Sequence, residues 1–329
     1  MGERFCIYPL TTLNLTWPKL YPCCSSSHSL LQRMMLEIDP LSDPDSAWNS
    51  DKWSRWRRRI GDDDYASCEF CQQRSDWVDE SELREKFPEV ADDVMAYRGG
   101  DSGRLPYPHT VILSFDTSCN LTCVTCRPRG LPLTKTATTD MTDNVAPYLV
   151  HAKRVVIAGE GEVAVSPAYR KLLCGLTGGQ RITVMSNGTL LNEEFWGSLP
   201  QSVIDNIDRV HISCDGTTKE VYESIRIGGD FGKWLANMGL LHDMKTATCW
   251  TTKLMYTVSK ANFADMRNVP AFAENIGFDE LYMAPAARWS RKLNDSTIWV
   301  TEAQLDDARL RAARSVCNSL TRAYKKPSV

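Results

Sequence analysis

The sequence predicts an α/β fold: a partial (β/α)6 open barrel, not a closed one, preceded by a small Cys-rich module. Three observations predict it. From about residue 109 onward, short β-branched runs alternate with helical stretches, the pattern of βαβ units and a parallel sheet. Only six such runs occur, too few to close an eight-stranded barrel. Ahead of them, residues 1–71 are rich in Pro, Ser, Trp and Cys and carry little regular pattern. The expected organisation is therefore a module over 1–75, a linker over 76–108, and the barrel with a C-terminal helix over 109–329.

In the module one helix is expected at about 46–60, opened by Asp45 or Ser46 as cap. Trp53, Trp56 and Ile60 share a face, and Lys52, Arg55, Arg57, Arg58 and Arg59 surround them. Interleaved Trp and Arg can form a docking patch for nucleic acid or peptide. An amphipathic helix that packs its tryptophans and wets its arginines is the simpler expectation. The linker holds Gly99-Gly100-Asp101-Ser102-Gly103 and Pro106-Tyr107-Pro108, both chain-breaking. Strands are expected at 110–115, 154–158, 181–185, 209–214, 252–258 and 280–284. Helices are expected at about 142–150, 167–176, 192–198, 218–226, 231–243, 263–276 and 302–324.

Composition narrows the function. With 38 basic and 41 acidic residues the net charge is −3, so no overall field recommends nucleic acid or an anionic membrane as partner. No apolar run reaches the roughly 18 residues of a spanning helix, and residues 1–20 do not read as an export signal. A cytoplasmic, reducing location is expected, where clustered thiols hold metal or do catalysis more often than they pair as disulfides. The chain has 12 cysteines. Cys119, Cys123 and Cys126 follow the first barrel strand; Cys6, Cys23, Cys24, Cys68 and Cys71 lie in the module.

A loop leaving a strand can curl three thiolates around one soft metal centre, and no other cysteine stands between Cys71 and Cys174 to close the set with a fourth. A structural zinc site would be closed by four ligands. Three thiolates on a [4Fe-4S] cluster leave one iron open. The spacing Cys119-x3-Cys123-x2-Cys126 resembles the signature of the radical S-adenosylmethionine (SAM) enzymes. The resemblance implies that the open iron chelates SAM, and that reduction cleaves SAM to methionine and a 5′-deoxyadenosyl radical that takes a substrate hydrogen. It also implies a small electron donor such as flavodoxin or ferredoxin. One departure is Thr125, where the family usually has a bulky residue.

Further motifs follow in the family's order. Gly161 and Glu162 resemble its Gly-Gly-Glu segment, whose acid binds the SAM ammonium. Ser186-Asn187-Gly188 resembles its Thr-Asn-Gly turn near the ribose. Ser213-Cys214-Asp215-Gly216 resembles its Ser-x-Asp-Gly, with Ser213 and Asp215 on one side by strand alternation. Arg226, after Tyr222, resembles an arginine that pairs with the SAM carboxylate.

The module's cysteines read alone allow either a four-cysteine zinc ribbon or an iron–sulfur site. Pro22-Cys23-Cys24 and the later Cys68-x2-Cys71 resemble the SPASM or twitch auxiliary-cluster module of radical SAM enzymes, although here the set precedes the barrel and Pro18 stands where that module has glycine. The resemblance implies an auxiliary [4Fe-4S] cluster on Cys6, Cys23, Cys68 and Cys71, with Cys24 as a substitute for Cys23. Four protein ligands leave no open iron, which suits electron relay in an oxidative reaction: dehydrogenation, decarboxylation or cross-linking of a peptide or protein side chain. A separate peptide-recognition protein would serve such a substrate. Alternatives are a dehydrogenase or epimerase of an aminocyclitol, a sugar or another natural-product intermediate, and, from a different class, a non-catalytic zinc-binding interaction protein. Cys249, before the fifth strand, is a candidate hydrogen donor; Cys174 and Cys317 suit buried packing positions.

Overall fold

The structure, a computed structural model, describes residues 4–16, 19–23, 43–61, 77–100, 103–126, 139–157, 161–176 and 178–286, and scattered helical positions between 313 and 324. The chain divides into two compact units. The first is Met1–Phe115 with Thr138–Gly159 and Gly178–Gln180; the second is Asp116–Ala137 with Glu160–Thr177 and Arg181–Val329. The strands are mostly parallel and alternate with helices, so the class is α/β as expected. No helix among the described residues is long and apolar enough to cross a membrane.

In the first unit the short helix α1 (Tyr8–Thr11) leads into β1 (Thr12–Thr16), which turns back antiparallel as β2 (Lys19–Tyr21), Leu15 facing Leu20. On its other side β1 runs parallel to β3 (Thr110–Leu113), and β3 runs parallel to β4 (Arg154–Ile157). β1 and β2 were not among the expected strands. Leu13 and Leu15 alternate with Thr12 and Asn14, and all four are buried, so both faces of β1 are covered.

Helices α2 (Pro44–Trp48) and α3 (Asp51–Gly61) replace the single helix expected at 46–60. Pro44 sits at the first turn, where its missing N–H costs nothing, and Asp43 caps the backbone of Asp45 and Ser46. Trp53, Trp56 and Ile60 are buried, so the tryptophans are core and offer no stacking platform. Arg55, Arg58 and Arg59 are exposed as expected, but Arg57 is not. Its Nε donates to Pro9 O at 2.7 Å and Nη1 to Trp48 O at 2.9 Å, with the guanidinium 4.0 Å above the Trp48 ring. Burial lowers its pKa to about 10, which leaves it cationic at neutral pH.

The stretch expected as a linker, 76–108, carries regular structure among its described residues. It carries α4 (Glu80–Lys86) and α5 (Ala91–Gly99). Asp79 and Glu82 form a reciprocal capping box that starts α4, at 2.9 and 3.2 Å. Gly100, at φ +83°, ends α5 in the left-handed conformation that favours glycine, so Gly99-Gly100, expected in a connector, form a helix stop. Phe5 and Val78 exchange backbone bonds at 2.9 and 3.0 Å. Asn49 and Leu105 exchange bonds at 3.0 and 3.1 Å, and Trp48 Nε1 donates to Pro106 O at 2.9 Å. The helix α6 (Thr139–Val145) precedes β4.

In the second unit α7 (Pro167–Gly175) precedes four strands that pair in sequence order and all in parallel: β5 (Arg181–Ser186), β6 (Ile207–Ser213), β7 (Thr251–Val258) and β8 (Glu280–Pro285). Strict alternation along β7 buries Leu254, Tyr256 and Val258 while the intervening residues are half-buried, the sign of one face packed under helices. The crossovers are α8 (Glu193–Gly197) with α9 (Gln201–Asn206), α10 (Lys219–Ile225) with α11 (Phe231–Thr248), and α12 (Val269–Ile276). Asn192, Thr218 and Asp230 cap α8, α10 and α11. Cys317 is buried, as expected, at one of the helical positions near the C-terminus.

Candidate functional site

The loop that follows β3 in the chain is shaped from within. Asp116 is fully buried; one carboxylate oxygen accepts from Ser118 N–H at 2.8 Å and the other from the Ser166 hydroxyl at 2.6 Å. Ser166 also caps α7 by accepting from Tyr169 N–H at 3.0 Å. Ser166-Pro167 belongs to the segment that resembles the family's Gly-Gly-Glu motif, whereas Asp116 carries no expected role in this site. An Asp two residues before a Ser is the pattern of an Asx turn, and that was the available signal.

Gly161 lies directly against this loop. Its φ is +76°, and a Cβ there would stand 2.3 Å from Asp116 O and 2.9 Å from Ser118 O, so the close approach requires glycine. Glu162 N–H then donates to Ser118 O at 2.8 Å. The Glu162 carboxylate, fully buried, accepts from the Ser186 hydroxyl and Asn187 N–H, both at 2.7 Å, and from Ala164 N–H at 3.2 Å. Burial raises its pKa, and these donors oppose the rise. The carboxylate expected to meet an ammonium group thus ties its own segment to the end of β5.

The three loop cysteines differ in setting: Cys119 is half-buried, Cys123 buried and Cys126 exposed. Cys119 Sγ accepts from Leu121 N–H at 3.5 Å and from Asn187 Nδ2 at 3.6 Å. Burial pushes the Cys123 thiol up to about 11 while the nearby Arg226 pulls it down. The backbone explains that neighbour: Thr122 N–H donates to Ile227 O at 3.0 Å and Val124 N–H to Ile225 O at 2.9 Å. Cys123 therefore stands opposite Arg226 across a short antiparallel pairing.

Arg226 and Asp215 form a buried ion pair, Nη2 to Oδ2 at 2.9 Å. Asp215 Oδ1 also accepts from Thr257 N–H at 2.9 Å. Burial disfavours the Arg226 charge, and Asp215 beside it outweighs that and holds its pKa above the usual value. Arg226 Nε and the Tyr222 hydroxyl are buried without a partner. Ser213, at the end of β6, pairs in register with Met255 and is half-buried.

Cys249 does not join this site. It caps α11 in the left-handed conformation, φ +61°, at the amino end of β7, whereas Asp215 bonds Thr257 at the carboxyl end. At about 3.3 Å per residue the strand separates them by roughly 20–25 Å, which places Cys249 too far away to donate hydrogen at this site. Of the proposed auxiliary ligands, Cys6 and Cys23 are half-buried in the first unit; Cys24, Cys68 and Cys71 lie outside the described residues.

Residues 113–270 match the family model described as the Radical SAM superfamily. This stretch is similar to a radical SAM domain. It opens at the end of β3 and takes in the cysteine loop, Glu162, Asn187, Asp215 and Arg226. Streptococcus suis SuiB bound to S-adenosylmethionine is similar over 78% of this chain and 60% of its own, at 12% identity and a TM-score of 0.47. SuiB bound to the precursor peptide SuiA is similar over 98% of this chain and 71% of its own, at 12% identity and a TM-score of 0.48. For anSMEcpe with bound AdoMet the shares are 54% and 51%, the identity 17% and the TM-score 0.42. This chain thus covers less than two thirds of the SAM-bound SuiB chain. No curated protein matches it.

The donor set of this stretch fits the iron–sulfur group that the matched family implies. Among the described residues no three His, Cys, Asp or Glu side chains close on a single metal ion. A [4Fe-4S] cluster takes each thiolate on a different iron, so its sulfurs need not converge on one point. Three thiols in one loop, with N–H donors on Cys119 and a guanidinium opposite Cys123, suit sulfur ligands that carry negative charge.

Proposed function

We propose that the protein is a radical SAM enzyme in which Cys119, Cys123 and Cys126 hold a [4Fe-4S] cluster with one open iron and SAM binds beside it. The observation that carries this reading is the three-cysteine loop, held between Glu162 and Asn187 on one side and the backbone of Ile225 and Ile227 on the other, inside a stretch that matches the family. When bound, the cluster and SAM together supply a 5′-deoxyadenosyl radical that takes a hydrogen atom from substrate. The chain's own part is to place and shield. Gly161 lets the Glu162 segment approach the loop, and Glu162 fixes Ser186 and Asn187. Ser213, Asp215 and Arg226 line the neighbouring strand end, where the buried pair keeps a cation close to Cys123. Arg226 Nε, buried and unpartnered, is the donor left for the SAM carboxylate.

The substrate we infer is a peptide or protein side chain that is oxidised, with Cys6, Cys23 or Cys24, Cys68 and Cys71 holding an auxiliary [4Fe-4S] cluster that accepts the departing electron. A flavodoxin- or ferredoxin-like protein would reduce the first cluster in the cytoplasm. The buried tryptophans of α3 weigh against the rival reading of a zinc protein that docks partners through that helix.

Anaerobic purification with iron, sulfide and zinc analysis, followed by SAM and dithionite, tests the reading. The expected result is brown protein with iron and sulfide for two clusters, and 5′-deoxyadenosine that disappears in Cys123→Ala. Zinc in place of iron, or no 5′-deoxyadenosine from iron-loaded protein, would refute it.

A further inference from the structure

We propose that Asn187 is a positioning residue for the cluster: its side-chain amide donates a hydrogen bond to the Cys119 sulfur and thereby sets the reduction potential of the group that the loop thiolates hold. The inference rests on the reading of Cys119, Cys123 and Cys126 as cluster ligands. It departs from the role the family resemblance implies for this residue, which places it near the ribose of SAM.

The geometry fixes the amide. Asn187 Nδ2 lies 3.6 Å from Cys119 Sγ and 3.0 Å from Asn120 Oδ1. Its Oδ1 accepts from Thr189 N–H at 2.9 Å and from the Thr189 hydroxyl at 2.5 Å. Turning the amide over would set oxygen against Asn120 Oδ1 and an NH2 group against Thr189 N–H, so only one orientation satisfies the network. The backbone is pinned as well, by Asn187 N–H to Glu162 Oε2 at 2.7 Å. Both hydrogens of the NH2 group are therefore committed, one to sulfur and one to Asn120, and neither is left for a ribose hydroxyl.

The chemistry follows from charge. Reduction adds an electron whose density spreads onto the ligand sulfurs, and an N–H aimed at sulfur stabilises the more negative state. Cys119 also receives Leu121 N–H at 3.5 Å, so Asn187 adds its donor to a sulfur that already accepts. Losing it removes a hydrogen bond to a charged acceptor, which corresponds to about a tenfold fall in the reduced-to-oxidised ratio at fixed potential, about 59 mV for a one-electron couple.

The test is an EPR-monitored redox titration of the anaerobically reconstituted full chain without SAM, in wild type, Asn187→Ala and Asn187→Asp. The expected result is a midpoint shifted to more negative values by about that amount in Asn187→Ala and by more in Asn187→Asp, which sets a negative charge at the same place, with SAM affinity for the oxidised cluster unchanged in Asn187→Ala. An unchanged midpoint with weakened SAM binding overturns the proposal in favour of a ribose contact. If both variants lose the cluster, pulsed ENDOR on reduced wild-type protein labelled with 15N at asparagine side chains decides: coupling to an amide nitrogen supports the bond, and its absence overturns it. If wild-type protein takes up no iron and sulfide, the reading of the loop itself falls and the proposal with it, which iron content reveals before any potential is measured.

Discussion

Replacing Asp215 by Asn probes the electrostatics of the site most directly. Asp215 is buried and lies 2.9 Å from Arg226, itself buried. Two unit charges at that separation attract by roughly 6 kcal/mol at an effective dielectric of about 20, before desolvation is counted. Asn keeps the size of the side chain and its acceptor for Thr257 N–H, so the change isolates the charge. Arg226 is then a buried cation without its acid, a loss of about 3–5 kcal/mol. At about 2–4 °C per kcal/mol for a chain of this class, Tm falls by roughly 6–20 °C. Circular dichroism melts of wild type, Asp215→Asn, Arg226→Met and the double variant Asp215→Leu/Arg226→Met measure it. The double variant, with no charge left to satisfy, should recover most of the loss. A shift under about 2 °C in Asp215→Asn, or a double variant as unstable as the two losses added together, would show that the pair does not hold the end of β6.

Two further outcomes follow from the geometry. Gly161→Ala should cost about 3 kcal/mol or more, from positive φ together with a Cβ pressed on the carbonyls of Asp116 and Ser118, and a thermal-shift assay that finds wild-type stability would contradict that close approach. Burial lowers the pKa of His109, although Glu89 at 2.6 Å opposes this. The unfolded imidazole takes a proton near pH 6.5, about its free value, while the folded one resists to lower pH, so the unfolded state binds more protons and stability falls as pH drops below about 6.5. Urea unfolding at neutral and mildly acidic pH should show that loss in wild type and a smaller one in His109→Gln; equal slopes would rule His109 out as its source.

The barrel strands were legible because β-branched runs such as Thr251–Val258 stand between turn and helix signals, and a parallel strand has little else to say. β1 was not, since Thr12 and Asn14 look like the wet side of a strand until the second covered face is seen. The capping box of Asp79 and Glu82 was present in the residues and outweighed by the glycines further on. At the site, Glu162, Asn187, Asp215 and Arg226 announced themselves by motif, but their partners did not. Glu162 meets a hydroxyl and amides, Asn187 meets a sulfur, and Arg226 meets Asp215; motif order along the chain is blind to which neighbour a side chain chooses. The pairing of Thr122 and Val124 with Ile227 and Ile225 is carried by backbone atoms that every residue has, and no side chain could reveal it.

The pairing of β1 with β3 bears on how this chain can be cut. Leu13 and Leu15 lie register-matched beside Val111 and Leu113, and Ser114 N–H donates to Leu15 O at 2.8 Å. A fragment begun at residue 109 would carry β3 with that flank stripped, a row of unsatisfied backbone groups beside newly bared leucine-sized hollows, which is the template on which separate molecules stick together. Truncation designs that treat the first hundred residues as a removable appendage would be removing a strand of the sheet.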